Sequence, residues 1–160
     1  MTDLDAYDRF LRAKAAVAPR TGVQVAPADI SHILKPHQRA CVQWMVDGGR
    51  RALFAAFGLG KSVMQIEAVR IARERAGGMG LIIIPLGVRQ EFVRDAAMLG
   101  VPLRFIRTIE EATDPAGIYL TNYETVRDRK LDPRAFSAVS LDEAAVLRGF
   151  GGTKTFREFM

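Results

Sequence analysis

From residue 51 onward, the chain alternates short, almost purely apolar runs with longer segments in which apolar residues recur every three or four positions. The apolar runs predict strands that are covered on both faces, because such strands lack the alternation of polar and apolar residues. The longer segments predict helices with one apolar face. Strands that alternate with helices indicate an α/β fold with a mostly parallel sheet flanked by helices.

The individual elements follow from these patterns. Strands are predicted at RALFAAF (51–57), GLIIIP (80–85), LRFIRT (103–108), GIYLT (117–121) and FSAVSLD (136–142). Helices are predicted at about 61–76 and 88–99, and earlier in the chain at about 2–18 and from residue 36 to the glycine pair at 48–49. The stretch between the two early helices carries Pro19, Gly22 and Pro27, which predicts an irregular connector.

Composition limits the class of protein. A chain of 160 residues with 49% hydrophobic and 26% charged residues is typical of one globular domain. The net charge of +5 favours a polyanionic partner. The single cysteine, Cys41, excludes an internal disulfide framework and fits a reducing compartment. The acidic start MTDLDAYDRF lacks the apolar core of a signal peptide, and no apolar run approaches membrane-spanning length. A cytoplasmic protein with no membrane partner is expected.

A glycine-rich segment, LFAAFGLGKS, meets the pattern A/G-x-x-x-x-G-K-S/T through Ala55, Gly60, Lys61 and Ser62. Backbone N–H groups that curl around a phosphate chain need close approach and unusual dihedral angles, which Gly58 and Gly60 permit. Lys61 is predicted to reach the terminal phosphates of a nucleotide, and the Ser62 hydroxyl is predicted to ligate Mg²⁺. The alternative is an ordinary glycine turn with a solvent-facing lysine, which the position between an apolar run and a helix disfavours.

The segment AVSLDEAAVL supplies two acidic residues, Asp142 and Glu143, directly after an apolar run. At the carboxyl end of a parallel strand these side chains would emerge at the same sheet edge as the glycine-rich loop. Asp142 is predicted to hold Mg²⁺, and Glu143 is predicted to orient and deprotonate an attacking water. The alternative is that the two acids only cap a following helix.

Five segments together resemble a family: LKPHQ, FGLGKS, LIIIPLGVRQEF, IYLTNYETV and VSLDEAAVL occur in the order seen in superfamily-two DEAD/DEAH helicases. The sequence most resembles the Swi/Snf-like branch, including versions carried by phages, over residues 34–150. The resemblance implies a RecA-like first lobe, hydrolysis of ATP with Mg²⁺, and movement along duplex DNA through sequence-independent backbone contacts. It also implies a bacterial or phage-infected host cell.

The resemblance assigns roles to residues that match the family's motifs. Gln38 matches the glutamine that reads the adenine edge, although a plain surface position on a helix is the alternative. The predicted nucleotide-binding set is Gln38, Gly58, Leu59, Gly60, Lys61 and Ser62. Lys61 and Glu143 are the predicted catalytic residues, and Ser62 and Asp142 are the predicted metal ligands. Predicted nucleic-acid contacts are Arg89, Thr121, Asn122 and Tyr123, with a solvated face as the alternative for Arg89.

The sequence departs from the family pattern in two respects. The acidic box reads D-E-A-A, so Ala145 stands where the family has a side chain that links hydrolysis to the next motif. No Ser/Thr-Ala-Thr motif and no second RecA-like lobe follow, so the lobe is expected to be incomplete at its C-terminus. The predicted division is an N-terminal helix and connector at 1–33 and a partial first lobe at 34–160.

Two functions are therefore expected from the sequence, with a third as a weaker alternative. The first is the ATP-binding lobe of an ATP-dependent DNA helicase or translocase. The second is a truncated module that binds nucleotide and DNA with little or no turnover. The third is a phosphate-loop NTPase with no nucleic-acid role.

Some conspicuous side chains are predicted to be structural only. Trp44 is expected in the core rather than on a surface where it could stack on bases. One helix face is expected to be solvated, with acidic residues neutralising part of its basic charge: Arg70, Arg73 and Arg75 with Glu67 and Glu74.

Overall fold

The computed structural model of the chain describes residues 19–143. The helix predicted at residues 2–18 lies outside the described residues, as does the segment from residue 144 that includes Ala145. Within residues 19–143, no helix is both long enough and apolar enough to cross a membrane.

Four parallel strands form one sheet in the order β2-β3-β1-β4. The strands are β1 (Gly80–Ile84), β2 (Leu103–Phe105), β3 (Ile118–Asn122) and β4 (Ala138–Leu141). β1, β2 and β4 fall within predicted strands, and β3 extends one residue beyond the predicted 117–121. The all-parallel pairing confirms the α/β fold with a mostly parallel sheet flanked by helices.

Within residues 19–143, four α-helices accompany the sheet. They are α1 (Pro36–Gly48), α2 (Lys61–Ala76), α3 (Arg89–Leu99) and α4 (Tyr123–Arg127). Short 3-10 turns lie at Pro27–Asp29, Leu86–Val88, Ile109–Glu111 and Pro133–Ala135. Helices α2 and α3 were predicted at these positions, and α1 ends at the glycine pair as the sequence indicates.

The central strand β1 explains why the apolar run at 80–84 has no polar alternation. Ile82 and Ile84 pack with residues of α2 and α3 on one face of the sheet. Leu81 and Ile83 pack on the other face against α4 and the loops around it. All four side chains are fully buried. A strand covered on both faces therefore has to be apolar at every position.

A third apolar cluster joins the connector to the helices. Val25, Ile30 and Leu34 are buried against α1 and α2. The predicted boundary between residues 33 and 34 thus does not coincide with a break in packing, because the connector and the lobe share one core.

The strand predicted at 51–57 is wrong. These residues form no strand and end in a turn at 57–59. Leu53 and Ala55 pack against the cluster of α1 and α2, whereas Phe54 is 83% exposed. The apolar run therefore packs in part against α1 and α2 without joining the sheet, which within residues 19–143 ends at β4.

Two further predictions about burial are wrong. Trp44 is half exposed, and the Arg51 guanidinium carbon lies 5.7 Å from the centroid of its ring. The helix face with Arg70 is not simply solvated, because Glu67 is fully buried and receives hydrogen bonds from Arg70 and from the backbone N–H of Ser31 (2.7 Å). The helical periodicity of the sequence predicted Glu67 on the solvated face of α2, but the connector covers that position.

Candidate functional site

The glycine-rich loop leads directly into α2, with Gly60 as the N-cap residue. Gly60 has φ of 74° and ψ of 51°, and Gly58 has φ of 79°, so both adopt backbone conformations that side-chain-bearing residues disfavour. A Cβ atom at Gly60 would also lie 2.5 Å from the Gln38 amide nitrogen, whereas a Cβ at Gly58 would meet no atom within 4 Å. Glycine is therefore favoured at position 60 for two reasons: the backbone dihedral angles there, and the lack of space for a Cβ atom beside Gln38.

Gln38 lies against this loop. Its side chain is buried, its Oε1 accepts a hydrogen bond from the backbone N–H of Lys35 (2.9 Å), and its Nε2 donates to the carbonyl of Leu59 (3.0 Å). The start of α1 and the loop are thus joined by one amide. The alternative of a plain surface residue does not fit this placement, while the predicted contact of Gln38 with adenine stays a prediction.

Lys61 is the first residue of α2. Its Nζ lies 4.9 Å from the centroid of the Phe57 ring, and Phe57 is 92% exposed. The ammonium group is therefore held over an exposed aromatic face in the structure, at the N-terminal end of a 16-residue helix. The loop around it has the exposure and the positive charge that phosphate binding needs.

Ser62, the next residue, is buried and turned toward a different partner. Its Oγ lies 2.5 Å from Oδ2 of Asp95, a buried residue of α3. The sequence predicted Ser62 as a metal ligand and assigned no role to Asp95. Asp95 lies among helix residues that look like a solvated surface in the sequence, so only the packing of α2 on α3 could have identified it.

Asp142 follows β4, and its backbone N–H donates to the carbonyl of Ile83 (2.8 Å), which extends the pairing with β1 by one residue. Burial raises the pKa of the Asp142 carboxyl, and the negative charges of Glu143 and Glu91 raise it further, whereas the positive charge of Lys61 lowers it. Gln65 of α2 also donates from Nε2 to Oγ of Ser140 in β4 (2.7 Å), so the start of α2 and the acidic pair lie at the same edge of the sheet.

Glu143 is exposed and has a positive φ of 54°. A non-glycine residue in this region of backbone space is uncommon, and such residues concentrate at functional sites. The exposed carboxyl group beside Asp142 is placed where it can reach water. Its predicted role as general base remains a prediction.

Two of the predicted nucleic-acid contacts, at the end of β3 and directly after it, have buried side chains. Thr121 is fully buried and its hydroxyl donates to the carbonyl of Ile106 (2.9 Å). Tyr123 is buried and its hydroxyl donates to the backbone carbonyl of Asp142. Burial raises the pKa of Tyr123, with a further contribution from the charges of Asp142 and Glu143. These two side chains therefore stabilise the site from inside the protein. Their predicted contacts with nucleic acid stay predictions.

The other two predicted contacts lie nearer the surface. Asn122 caps α4, because its Oδ1 accepts from the backbone N–H (3.2 Å) and the hydroxyl (2.5 Å) of Thr125. Arg89 is exposed at the start of α3, and its guanidinium carbon lies 4.4 Å from the centroid of the Phe105 ring. Arg89 therefore keeps a positive charge at the surface, as a phosphate contact requires.

The donor atoms of the site suit Mg²⁺. The Ser62 hydroxyl and the Asp142 carboxylate are hard oxygen ligands, which Mg²⁺ prefers. Within residues 19–143, no group of three or more His, Cys, Asp or Glu side chains is arranged as a metal cage. Mg²⁺ that is bound through one or two protein oxygens takes its remaining ligands from phosphate groups and water.

Comparison with known proteins identifies the fold. No protein-family profile and no curated protein sequence matches the chain. The structure is similar to the SWI2/SNF2 ATPase core of Sulfolobus solfataricus in complex with dsDNA, with a TM-score of 0.67 and 22% identity over 85% of this chain. It is also similar to the SWI2/SNF2 ATPase core domain of the same organism (TM-score 0.65, 23% identity, 89% of this chain).

The UvsW helicase from bacteriophage T4 gives a third match, with a TM-score of 0.61 and 18% identity over 98% of this chain. The chain spans 31% and 33% of the two SWI2/SNF2 cores and 54% of the UvsW chain. At these identities the likeness shows the fold. The chain has the RecA-like fold of part of a Swi/Snf-like helicase ATPase core, as the sequence predicted.

Proposed function

We propose that this chain is the nucleotide-binding lobe of an ATP-dependent DNA helicase or translocase of the Swi/Snf-like branch. The observation that carries the proposal is the contact between α2, which begins at Lys61, and β4, which ends one residue before Asp142: Gln65 Nε2 donates to Ser140 Oγ (2.7 Å). This contact supports a site in which the glycine-rich loop and the acidic pair meet at one end of the parallel sheet. The fold shared with SWI2/SNF2 ATPase cores and with the UvsW helicase supports the same assignment.

Different residues around the loop would bind different parts of ATP. The backbone N–H groups at Gly58, Leu59 and Gly60 would bind the phosphates, because the loop opens onto the N-terminus of α2. Lys61 would leave the ring of Phe57 for the terminal phosphates. Gln38, which lies against the loop, would present its amide to the adenine edge.

Hydrolysis would use the residues that follow β4. Ser62 and Asp142 would hold Mg²⁺, which neutralises phosphate charge when it is bound with the nucleotide. The exposed Glu143 carboxylate would orient a water and accept its proton. The Tyr123 hydroxyl holds the backbone at Asp142 and so keeps both acids in place.

We further propose a DNA partner that is bound through its backbone. The net charge of +5 and the exposed Arg89 guanidinium support attraction of phosphates without base recognition. One SWI2/SNF2 core of similar fold is described in complex with dsDNA. Cytoplasmic action in a bacterial or phage-infected cell belongs to the same proposal.

A second function, a module that binds nucleotide and DNA with little turnover, is favoured for the 160-residue chain taken alone. The chain spans about a third of the two SWI2/SNF2 cores. In phosphate-loop enzymes, an arginine supplied from outside the nucleotide-binding lobe raises the rate by about 10³ to 10⁵. The chain alone is therefore expected to bind ATP while hydrolysing it slowly.

Titration with a fluorescent ATP analogue tests the proposed function. Parent protein should bind the analogue in the presence of Mg²⁺, and Lys61→Ala should lose this binding. Lys130→Ala, which removes an exposed lysine far from the loop in sequence, is the matched control and should bind like the parent. Equal affinity of Lys61→Ala and the parent would refute the assignment of the loop.

Single-turnover hydrolysis separates the two functions. Glu143→Gln should bind the analogue like the parent and should lose whatever hydrolysis the parent shows. Addition of duplex DNA to the isolated parent chain should change the rate little if the module function applies. Brisk DNA-stimulated hydrolysis by the chain alone would favour the complete motor function instead.

A further inference from the structure

A buried acidic residue from outside every recognised motif contacts the phosphate-loop hydroxyl. Asp95 lies in α3, and its Oδ2 is 2.5 Å from the Oγ of Ser62 in the first turn of α2. Both residues are less than 10% exposed, at 8% and 6%. The two helices pack directly on each other, so this contact belongs to the core of the site and not to a surface loop.

The two oxygens of the Asp95 carboxylate have different surroundings. Oδ1 accepts from the Arg94 guanidinium at 3.2 and 3.3 Å, and the Arg94 side chain is 75% exposed. Oδ2 points inward to Ser62. A buried carboxylate is costly unless its charge is compensated by hydrogen bonds. The Ser62 hydroxyl and the Arg94 guanidinium therefore compensate one oxygen each of the buried Asp95 carboxylate.

The direction of the Ser62 hydrogen bond is set by chemistry. The Ser62 hydroxyl donates its proton to Oδ2 of Asp95, because a carboxylate oxygen accepts hydrogen bonds. The lone pairs of Oγ then point away from Asp95 and remain free to act as acceptors. A hydroxyl that ligates a cation has to offer a lone pair in this way.

We propose that Asp95 is a positioning residue for magnesium binding: it holds the Ser62 hydroxyl in the orientation that offers its lone pair to Mg²⁺. The inference rests on the proposed ATP-binding function. A hydrogen-bond acceptor behind a metal ligand fixes the ligand's orientation and raises its basicity, and loss of such a partner lowers metal affinity about 10- to 100-fold. Asp95 itself touches neither the metal nor the nucleotide in this scheme.

Nucleotide titrations with and without Mg²⁺ test this role. The affinity of the fluorescent ATP analogue is measured in Mg²⁺ and in EDTA, and the ratio of the two affinities gives the magnesium contribution. Asp95→Leu and Asp95→Ala, which both remove the acceptor oxygen, should lower this ratio about 10-fold or more while leaving the affinity in EDTA close to that of the parent. A merely structural role for Asp95 would lower both affinities together.

A double-mutant comparison tests whether Asp95 acts through Ser62. Ser62→Ala should lower the magnesium contribution by itself, and adding Asp95→Leu to it should cause little further loss. Arg94→Ala is the matched control, because it removes the other partner of Asp95 and leaves the contact with Ser62. The control should keep the magnesium contribution of the parent.

The outcomes are distinguishable. If the parent binds the analogue and loses it on Lys61→Ala, but Asp95→Leu keeps the full magnesium contribution, the role of Asp95 is overturned and the proposed function stands. If the parent binds no nucleotide, both fall. Thermal melts identify a variant that fails to fold, and should Asp95→Ala fail, Asp95→Leu, which is close to Asp95 in shape, decides the question.

Discussion

The side-chain amide nitrogen of Gln38 donates a hydrogen bond to the carbonyl oxygen of Leu59 over 3.0 Å. The same side chain accepts from the backbone N–H of Lys35, so it closes a link between the start of α1 and the glycine-rich loop. Gln38 is therefore part of the architecture of the loop before any nucleotide arrives.

Replacing Gln38 by alanine should destabilise the protein and weaken nucleotide binding. The change removes the hydrogen bonds to the Lys35 N–H and the Leu59 carbonyl, each of which contributes about 0.5–1.5 kcal/mol. Urea unfolding measures the loss, and analogue titration measures the affinity. Gln90→Ala, at an exposed position of α3, is the control and should change neither quantity. Unchanged unfolding of Gln38→Ala would contradict the link.

Alanine at Gly60 should be more damaging than alanine at Gly58. Both residues have a positive φ, so either change carries a backbone cost of about 1–2 kcal/mol. Only at Gly60 does the new Cβ also meet the Gln38 amide, at 2.5 Å. Thermal unfolding without nucleotide should rank Gly60→Ala below Gly58→Ala. Equal melting temperatures for the two variants would contradict the steric argument.

Loss of Arg70 should cost far more stability than loss of Arg75. Arg70 pairs with the fully buried Glu67 at 2.8 Å, and removing it leaves a carboxylate buried without its charge partner, at a cost of about 3 kcal/mol. Arg75 pairs with Asp29 at 2.6 Å on the surface, where such a pair contributes less than about 1 kcal/mol. Denaturant unfolding of Arg70→Ala and Arg75→Ala measures both effects, and similar losses would contradict the buried pairing.

Asp142→Asn should stabilise the nucleotide-free protein at neutral pH while weakening nucleotide binding in Mg²⁺. Burial raises the pKa of Asp142, and Glu143 and Glu91 add to the effect against the opposing charge of Lys61. Because the folded state holds the proton more tightly than the unfolded chain, ionisation of Asp142 lowers stability as the pH rises through the folded-state pKa.

Melting temperatures measured against pH check this sign. The advantage of Asp142→Asn should be full at neutral pH and should shrink as the pH falls and the parent carboxyl becomes protonated in both states. Glu124→Gln neutralises an exposed acid of α4 and should not raise the melting temperature. A lower melting temperature for Asp142→Asn at neutral pH would contradict the prediction.

The features that were predictable from sequence are those set by local pattern. The apolar run at 80–84 could only be a strand covered on both faces, and β1 is that strand. The helix at 61–76 was predicted with both of its observed ends, because Gly60 and Gly77 bound a periodic apolar stripe. The glycine-rich loop at Gly60 and Lys61 was likewise predictable, because its pattern lies within a few consecutive residues.

The features that were missed depend on contacts between distant segments. Glu67 and Asp95 are acidic residues on helices, and their burial follows only from the connector that covers one and from the α2–α3 contact that covers the other. Trp44 remains half exposed, because it lies beside the buried face of α1 and not on it. The run at 51–57 is apolar but forms no strand pairing. Its apolar composition reflects contact with the helices and not membership of the sheet.

The strand order has a consequence for how the protein forms. β4 pairs with β1, and this pairing joins Gly80 to Ala138 although β2 and β3 lie between them in sequence. Pairings between distant residues are slow to form because a long loop must close first. We therefore expect the acidic pair to reach the phosphate loop only in the last stage of folding, so that nucleotide binding during refolding would report completion of the whole sheet.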